Sequence, residues 1–117
     1  MTGYEGARVS ETRPEPIRLY LSGPMSGYEE YNHPAFNREA ARLRDAGYKV
    51  DNPAEIGHPG MDYRDLIRED IRIILECEGV AVMEGWWASR GAHIETSVAG
   101  VLDLPIRSVE EWLLRRK

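Results

Sequence analysis

The chain has 117 residues, of which 42% are hydrophobic and 30% charged, and its formal net charge is −5. That is one globular domain's worth of residues, with ordinary soluble composition, and its acidic balance argues against binding along a nucleic-acid polymer, which needs a basic footprint. No apolar run approaches the roughly 20 residues of a membrane span, and Met1–Pro16 lacks the apolar core of a signal peptide, so no membrane partner and a cytoplasmic location are expected.

Residues 1–16 carry Gly3, Gly6, Pro14 and Pro16 with almost no apolar pattern and read as a flexible tail. The folded domain is expected over 17–117. Ile17-Arg18-Leu19-Tyr20-Leu21 alternates like a strand and stops at Ser22-Gly23-Pro24. Asn32-His33-Pro34 marks a helix start, with the proline at a first-turn position. Phe36, Ala40 and Leu43 then recur at helical spacing, and Gly47 supplies the stop. Tyr48-Lys49-Val50 is a second short strand, closed by Asn52-Pro53 and followed by a loop with Gly57, Pro59 and Gly60.

A second helix is predicted over 62–77, with Ile67, Ile71, Ile74 and Leu75 on one face. Cys77, the single cysteine, falls in this apolar-patterned stretch and reads as a buried thiol. His33, His58 and His93 have no ligand spacing, so no structural metal is expected. Val80-Ala81-Val82-Met83 is a continuous apolar run of the kind found in a central parallel strand. Glu84 to Arg90 is a loop and 91–102 a third helix. Leu104-Pro105-Ile106 is a brief strand whose proline favours an edge or a strand start, and Ser108 caps a last helix running through Trp112 and Leu114.

Strands alternating with helices imply a parallel sheet of about four strands with right-handed crossovers and helices on both faces. The expected fold class is therefore α/β, a flavodoxin-like three-layer sandwich with strand order 2-1-3-4. Ligands in such sheets bind beyond the carboxyl ends of the strands, where the winding direction reverses. Here that point lies between strands 1 and 3, where the loops Ser22–Gly27 and Glu84–Gly91 meet. Their Gly and Ser residues suit close backbone approach and hydroxyl donation to a ligand, although glycines also serve tight turns.

Glu95 is the sharpest single signal. On a helical wheel Ala92, Ile94, Val98, Ala99, Val101 and Leu102 share one broad arc, and Glu95 falls inside it, while His93, Thr96 and Ser97 fall outside. A carboxylate there is costly unless functional or bonded to a neighbouring Arg or hydroxyl. The wheel leaves both readings open. Asp70 borders the apolar stripe of the second helix, a place where most residues are only solvated. Trp86 and Trp87 offer aromatic surface at the crevice, and one of them is expected to touch ligand. Arg64, Arg68 and Arg72 read as a solvated or salt-bridged face.

Tyr20-Leu21-Ser22-Gly23-Pro24-Met25-Ser26-Gly27, Asn52-Pro53-Ala54-Glu55, Asp70, Gly85-Trp86, Ser89-Arg90-Gly91-Ala92 and Glu95 together resemble a family common in phage and bacterial genomes. It belongs to the nucleoside 2-deoxyribosyltransferase-like group, and the resemblance covers about residues 17–107. It implies cleavage or transfer of the N-glycosidic bond of a nucleoside or nucleoside 5′-monophosphate. Glu95 would be the nucleophile and Asp70 the helper acid. Ser22, Gly23, Pro24, Met25 and Gly27 would lie under the ligand with Trp86, Ser89 and Gly91. Ser89, where free-nucleoside transferases carry Asp, tilts the expectation toward a 5′-monophosphate. His93 departs from the family pattern, which often has Gly two residues before the glutamate.

The expected chemistry needs neither metal nor organic cofactor. A homodimer or larger homo-oligomer is expected, packed partly through helices 2 and 3, because about 100 ordered residues build a limited core and the relatives build their sites across subunits. The rival reading is a non-catalytic nucleotide-binding module, a sensor or a sequestering protein; a structural interaction protein is the third.

Overall fold

The computed structural model describes residues 16–57 and 60–115. All of the expected tail except Pro16 lies outside the described residues, as do His58, Pro59, Arg116 and Lys117. Four strands, β1 (Arg18–Ser22), β2 (Lys49–Asp51), β3 (Gly79–Val82) and β4 (Ile106–Ser108), form one sheet in the order β2-β1-β3-β4. Every pairing is parallel, with Leu19 opposite Val50, Ser22 opposite Val82 and Val82 opposite Ser108. Between the strands run α1 (His33–Asp45), α2 (Tyr63–Ile74) and α3 (Arg90–Val101), and α4 (Val109–Leu114) follows β4. The fold is the flavodoxin-like α/β sandwich expected from the alternation of elements.

Strand periodicity divides the core in two. Leu19, Leu21, Ala81 and Met83 face one way and pack against Phe36, Ala40 and Leu43 of α1 and Val109 and Trp112 of α4. Tyr20, Val80 and Val82 face the other way and pack against Ile74 of α2 and Ala99 of α3. The first set is the front layer below, the second the back layer. In the front layer the Tyr48 hydroxyl donates to the Trp112 carbonyl at 2.7 Å, and the Trp112 indole donates to the Val80 carbonyl at 2.9 Å. Asp62 caps α2 through the Asp65 N–H, Ser89 caps α3 through the Ala92 N–H, and Ser108 and Glu111 close a reciprocal capping box on α4.

Several elements differ from their sequence-based bounds. Pairing in β4 begins at Ile106, not Leu104, because Pro105 has no N–H to give; its carbonyl instead accepts from Val80 N. α2 ends at Ile74, and Leu75–Cys77 turn toward β3. The inward face of α3 is also rotated from the predicted arc. Ala92, Glu95, Thr96 and Ala99 are buried, whereas Val101 is 84% exposed. Thr96 turns inward at little cost because its hydroxyl donates to the Ala92 carbonyl at 2.9 Å. The outward rotation leaves Val101 and Leu102 uncovered, and on α2 only Ile74 is buried, with Leu75 exposed. No helix among the described residues is long and apolar enough to cross a membrane.

Candidate active site

Both sequence-predicted loops lie at the carboxyl edge of the sheet, side by side. A Cβ at Gly23 would fall 2.9 Å from the Met83 Cβ, so the first loop passes β3 closely enough to need glycine. Gly85 has φ +86, and a Cβ there would meet Tyr28 Oη at 3.2 Å and the Pro24 ring at 3.3 Å. The backbone seals the junction, Met83 N donating to the Ser22 carbonyl at 2.9 Å.

Behind this junction sits Glu95, 6% exposed, in the second turn of α3. Tyr20 Oη donates to its Oε2 at 2.9 Å and Ser22 Oγ to its Oε1 at 2.7 Å. Tyr20 and Ser22 are alternate residues of β1, so their side chains share the back face and reach one carboxyl group together. Among the described residues Glu95 is bonded by two hydroxyls and by no Arg, which meets the structural reading of a buried carboxylate; the functional reading rests on the second carboxyl, Asp70, beside it. Asp70, half-buried on α2, is the charged neighbour of both Glu95 and Tyr20.

Burial of Glu95 and the repulsion of Asp70 hold its carboxyl up at about pKa 8, even though the Ser22 and Tyr20 hydroxyls favour the ionised form. Burial raises Asp70 as well, while its hydrogen bonds with Glu95 and Tyr20 pull the other way. Burial, then the Glu95 and Asp70 charges, push the Tyr20 phenol well up, so it stays a donor. The two carboxyls therefore hold a proton between them at neutral pH and titrate as a pair. Two carboxyls that share one proton can give and take a proton within one environment.

The remaining predicted residues separate into two groups. Pro24 is buried, Met25 packs on the front core, and the fully buried Ser22 spends its hydroxyl on Glu95. These three position the site from beneath. Gly23, Gly27, Trp86, Ser89 and Gly91 keep surface at the crevice. Trp86 is half-buried, packs on the back core and lies 5.7 Å from the His93 ring. His93 Nε2 donates to the Trp87 carbonyl at 2.6 Å, which fixes the second loop. The Ser89 hydroxyl accepts from Ala92 N and keeps its proton for another partner.

Asn52, in the Asn-Pro-Ala-Glu stretch, is structural. It is 1% exposed, donates to Asn37 Oδ1 and accepts from Ala54 N. Sequence reasoning missed two members. Tyr20 reads from sequence as a strand and motif residue with no role at the site, although two hydroxyls at i and i+2 on a buried strand are a signal in themselves. Tyr63 carried no motif, and its hydroxyl lies 3.8 Å from where a Gly91 Cβ would be.

A family model described as a domain of unknown function (DUF4406) matches residues 17–108, and the chain belongs to that family. No curated protein matches the chain.

Proposed function

We infer that the chain cleaves or exchanges the N-glycosidic bond of a nucleoside or nucleoside 5′-monophosphate, with Glu95 as nucleophile and Asp70 as its acid partner. The observation that carries this reading is the buried Glu95 carboxyl, oriented by the Tyr20 and Ser22 hydroxyls and facing Asp70 at the carboxyl edge of a parallel sheet. In the productive form the shared proton resides on Asp70. A Glu95 oxygen bonds to the anomeric carbon as the bond to the base nitrogen breaks, and the departing electron pair takes the Asp70 proton. The anionic pair supports the positive charge that develops on the sugar. Water then adds to the anomeric carbon, Asp70 accepts its proton, and the Glu95 carboxylate leaves; a second base in place of water gives transfer. Ser89 and Gly91, at the α3 N-terminus, would face the 5′ end of the substrate.

The test is incubation with a panel of nucleosides and 5′-monophosphates, with free base read by chromatography. Release of base from at least one member, lost in Glu95→Gln, is expected. No release from any member overturns the reading.

One observation favours a non-catalytic nucleotide-binding module instead. A carboxyl that keeps its proton to about pH 8 donates hydrogen bonds better than it attacks carbon. That reading expects saturable nucleotide binding without turnover at any pH.

The apolar residues uncovered at the C-terminal ends of α2 and α3, Leu75, Val101 and Leu102, support a homodimer through these helices. Light scattering should give a dimer mass, reduced to monomer by Val101→Asp; a monomeric wild type at high concentration contradicts it.

A further inference from the structure

A second concavity opens on the other side of the sheet's carboxyl edge. It is a cleft of about 620 Å³ between the first half of α1, the start of α4 and the turn after β3. Glu95, Asp70 and Tyr20 do not line it. They belong to the back layer, whereas Ala35, Met83 and Val109 of the cleft floor pack in the front core; Val82 and Trp86 of the back core also line the cleft, so Trp86 is shared with the Glu95 crevice. Its volume falls in the range of small-molecule sites.

The walls narrow the ligand chemistry. Tyr28, Trp86 and Trp87 line one side, and Trp87 and Tyr28 are 60% and 48% exposed. Aromatic faces left in water above an apolar floor favour a flat ring that can stack. Glu84 lines the mouth, exposed, and its carboxylate has no hydrogen-bond or ion-pair partner among the described residues. An ionised carboxylate only accepts, so it selects a ligand that donates N–H. Arg38 contributes donors on the α1 side, tied only loosely to Glu39 at 3.5 Å. Glu39 and Glu110 also line the cleft, each ion-paired to Arg42 at 2.8 Å, so among the described residues Glu84 is the lining carboxylate left without a cation and its charge disfavours a phosphate or carboxylate on the ligand.

The rim is also set in advance. Glu30, Tyr31 and Asn32 are three consecutive non-glycine residues with φ between 53 and 62. The Asn32 amide donates to the Pro24 carbonyl at 2.9 Å, and Tyr31 N to the Tyr28 carbonyl at 2.9 Å, so the turn that carries Tyr28 is held against both loops. We propose that this front cleft is a second ligand site, separate from the Glu95 crevice, for an uncharged, flat heteroaromatic ring bearing an amino group. Trp87 and Tyr28 stack on the ring, Glu84 accepts from the amino group, and Arg38 donates to a ring nitrogen.

The test is isothermal titration calorimetry with adenine, and with hypoxanthine, in which the amino group is replaced by an oxygen. Adenine should saturate a site that Glu95→Gln retains and Trp87→Ala weakens, and hypoxanthine should bind there about tenfold or more weakly, since an acceptor then faces an acceptor. Trp87→Ala and Glu84→Gln should each weaken adenine by about tenfold. Both positions are exposed, so the variants keep the wild-type far-UV circular dichroism. Glu95→Gln should bind adenine as wild type does, whether or not the chain has any glycosidic activity. No saturation by about 1 mM adenine, equal binding of the two bases, or loss in Glu95→Gln with retention in Trp87→Ala would each overturn the second site.

Discussion

The two faces of the sheet solve the same problem in different ways. Each buries a tyrosine against the strands. In front, Tyr48 gives its hydroxyl to the Trp112 carbonyl, and Trp112 gives its indole N–H to the Val80 carbonyl. Those acceptors are neutral backbone groups that titrate nowhere, and the arrangement welds α4 to the sheet. At the back, Tyr20 and Ser22 give their hydroxyls to a carboxyl group, and a second carboxyl, Asp70, stands beside it. Two hydroxyls could have been satisfied by carbonyls there as well. A buried acid pair is a poor way to stabilise a fold and a good way to tune a reactive group. On the proposed function the front layer serves stability and the back layer chemistry, and the experiments that follow set one against the other.

Glu95→Gln carries the largest expected effect. Gln keeps the volume, and its amide oxygen accepts from one of the two hydroxyls while the other turns to accept from the amide N–H, but it cannot form the glycosyl ester. Base release per folded molecule should fall by roughly a thousandfold or more, with the fold intact. Undiminished release from a folded Glu95→Gln protein would make the back layer as structural as the front.

The second effect is on stability against pH. Glu95 has a folded pKa raised from 4.5 to about 8, so the folded state holds a proton that the unfolded chain has lost. The stability tied to that proton is fully present below 4.5 and is lost as pH rises through about 8. For a group this buried the loss is on the order of a few kcal/mol. Thermal melts should therefore fall across that window in the wild type and fall much less in Glu95→Gln. Parallel melting curves for the two proteins would show that the carboxyl is not held protonated. The same pair bears on rate: on the proposed function the one-proton form is the active one, so turnover should decline as pH rises past about 8.

Much of this contrast was legible in the sequence. Phe36, Ala40 and Leu43 at helical spacing, the alternation in β1 and the βα repeat gave the layers and the strand order, because burial on one face imposes a period. Glu95 stood out because a charge on an apolar helix needs a reason. Three things were not legible. Thr96 hides its hydroxyl on its own helix, which moved the buried face of α3 away from the predicted arc. Pro105 marked an edge or a strand start, and β4 is an edge strand, but its pairing begins only at Ile106, a register set by the partner strand and not by local pattern. Ser22 and Pro24 carry motif positions that suggested ligand contact, yet both lie beneath the crevice, since a motif records identity and not depth.

Tyr20→Phe tests whether the back-layer hydroxyls orient the reactive group. It removes one donor to Glu95 and leaves the Ser22 bond at 2.7 Å. Losing that donor should raise the Glu95 pKa further, because the Tyr20 bond favours the ionised form. Turnover should fall roughly tenfold to a hundredfold, and the decline at high pH should begin later. A purely structural Tyr20 would lower the melting temperature without moving the pH profile.

Tyr48→Phe is the smallest expected effect and the control that gives the comparison its meaning. It makes the same chemical change, a lost phenol hydroxyl, on the opposite face of the same sheet. The ring keeps its edge-on packing with Trp112, at 5.7 Å between centroids, so no large cavity opens. What is lost is one buried hydrogen bond, and the Trp112 carbonyl loses that donor. That costs about 1–2 kcal/mol. The melting temperature should fall by several degrees, with turnover and its pH profile unchanged, because Tyr48 lies in the front layer and touches no group that titrates in the site. If Tyr48→Phe lowered turnover as much as Tyr20→Phe at equal loss of stability, the two faces would be doing the same job, and the hydroxyls on Glu95 would be packing like any other.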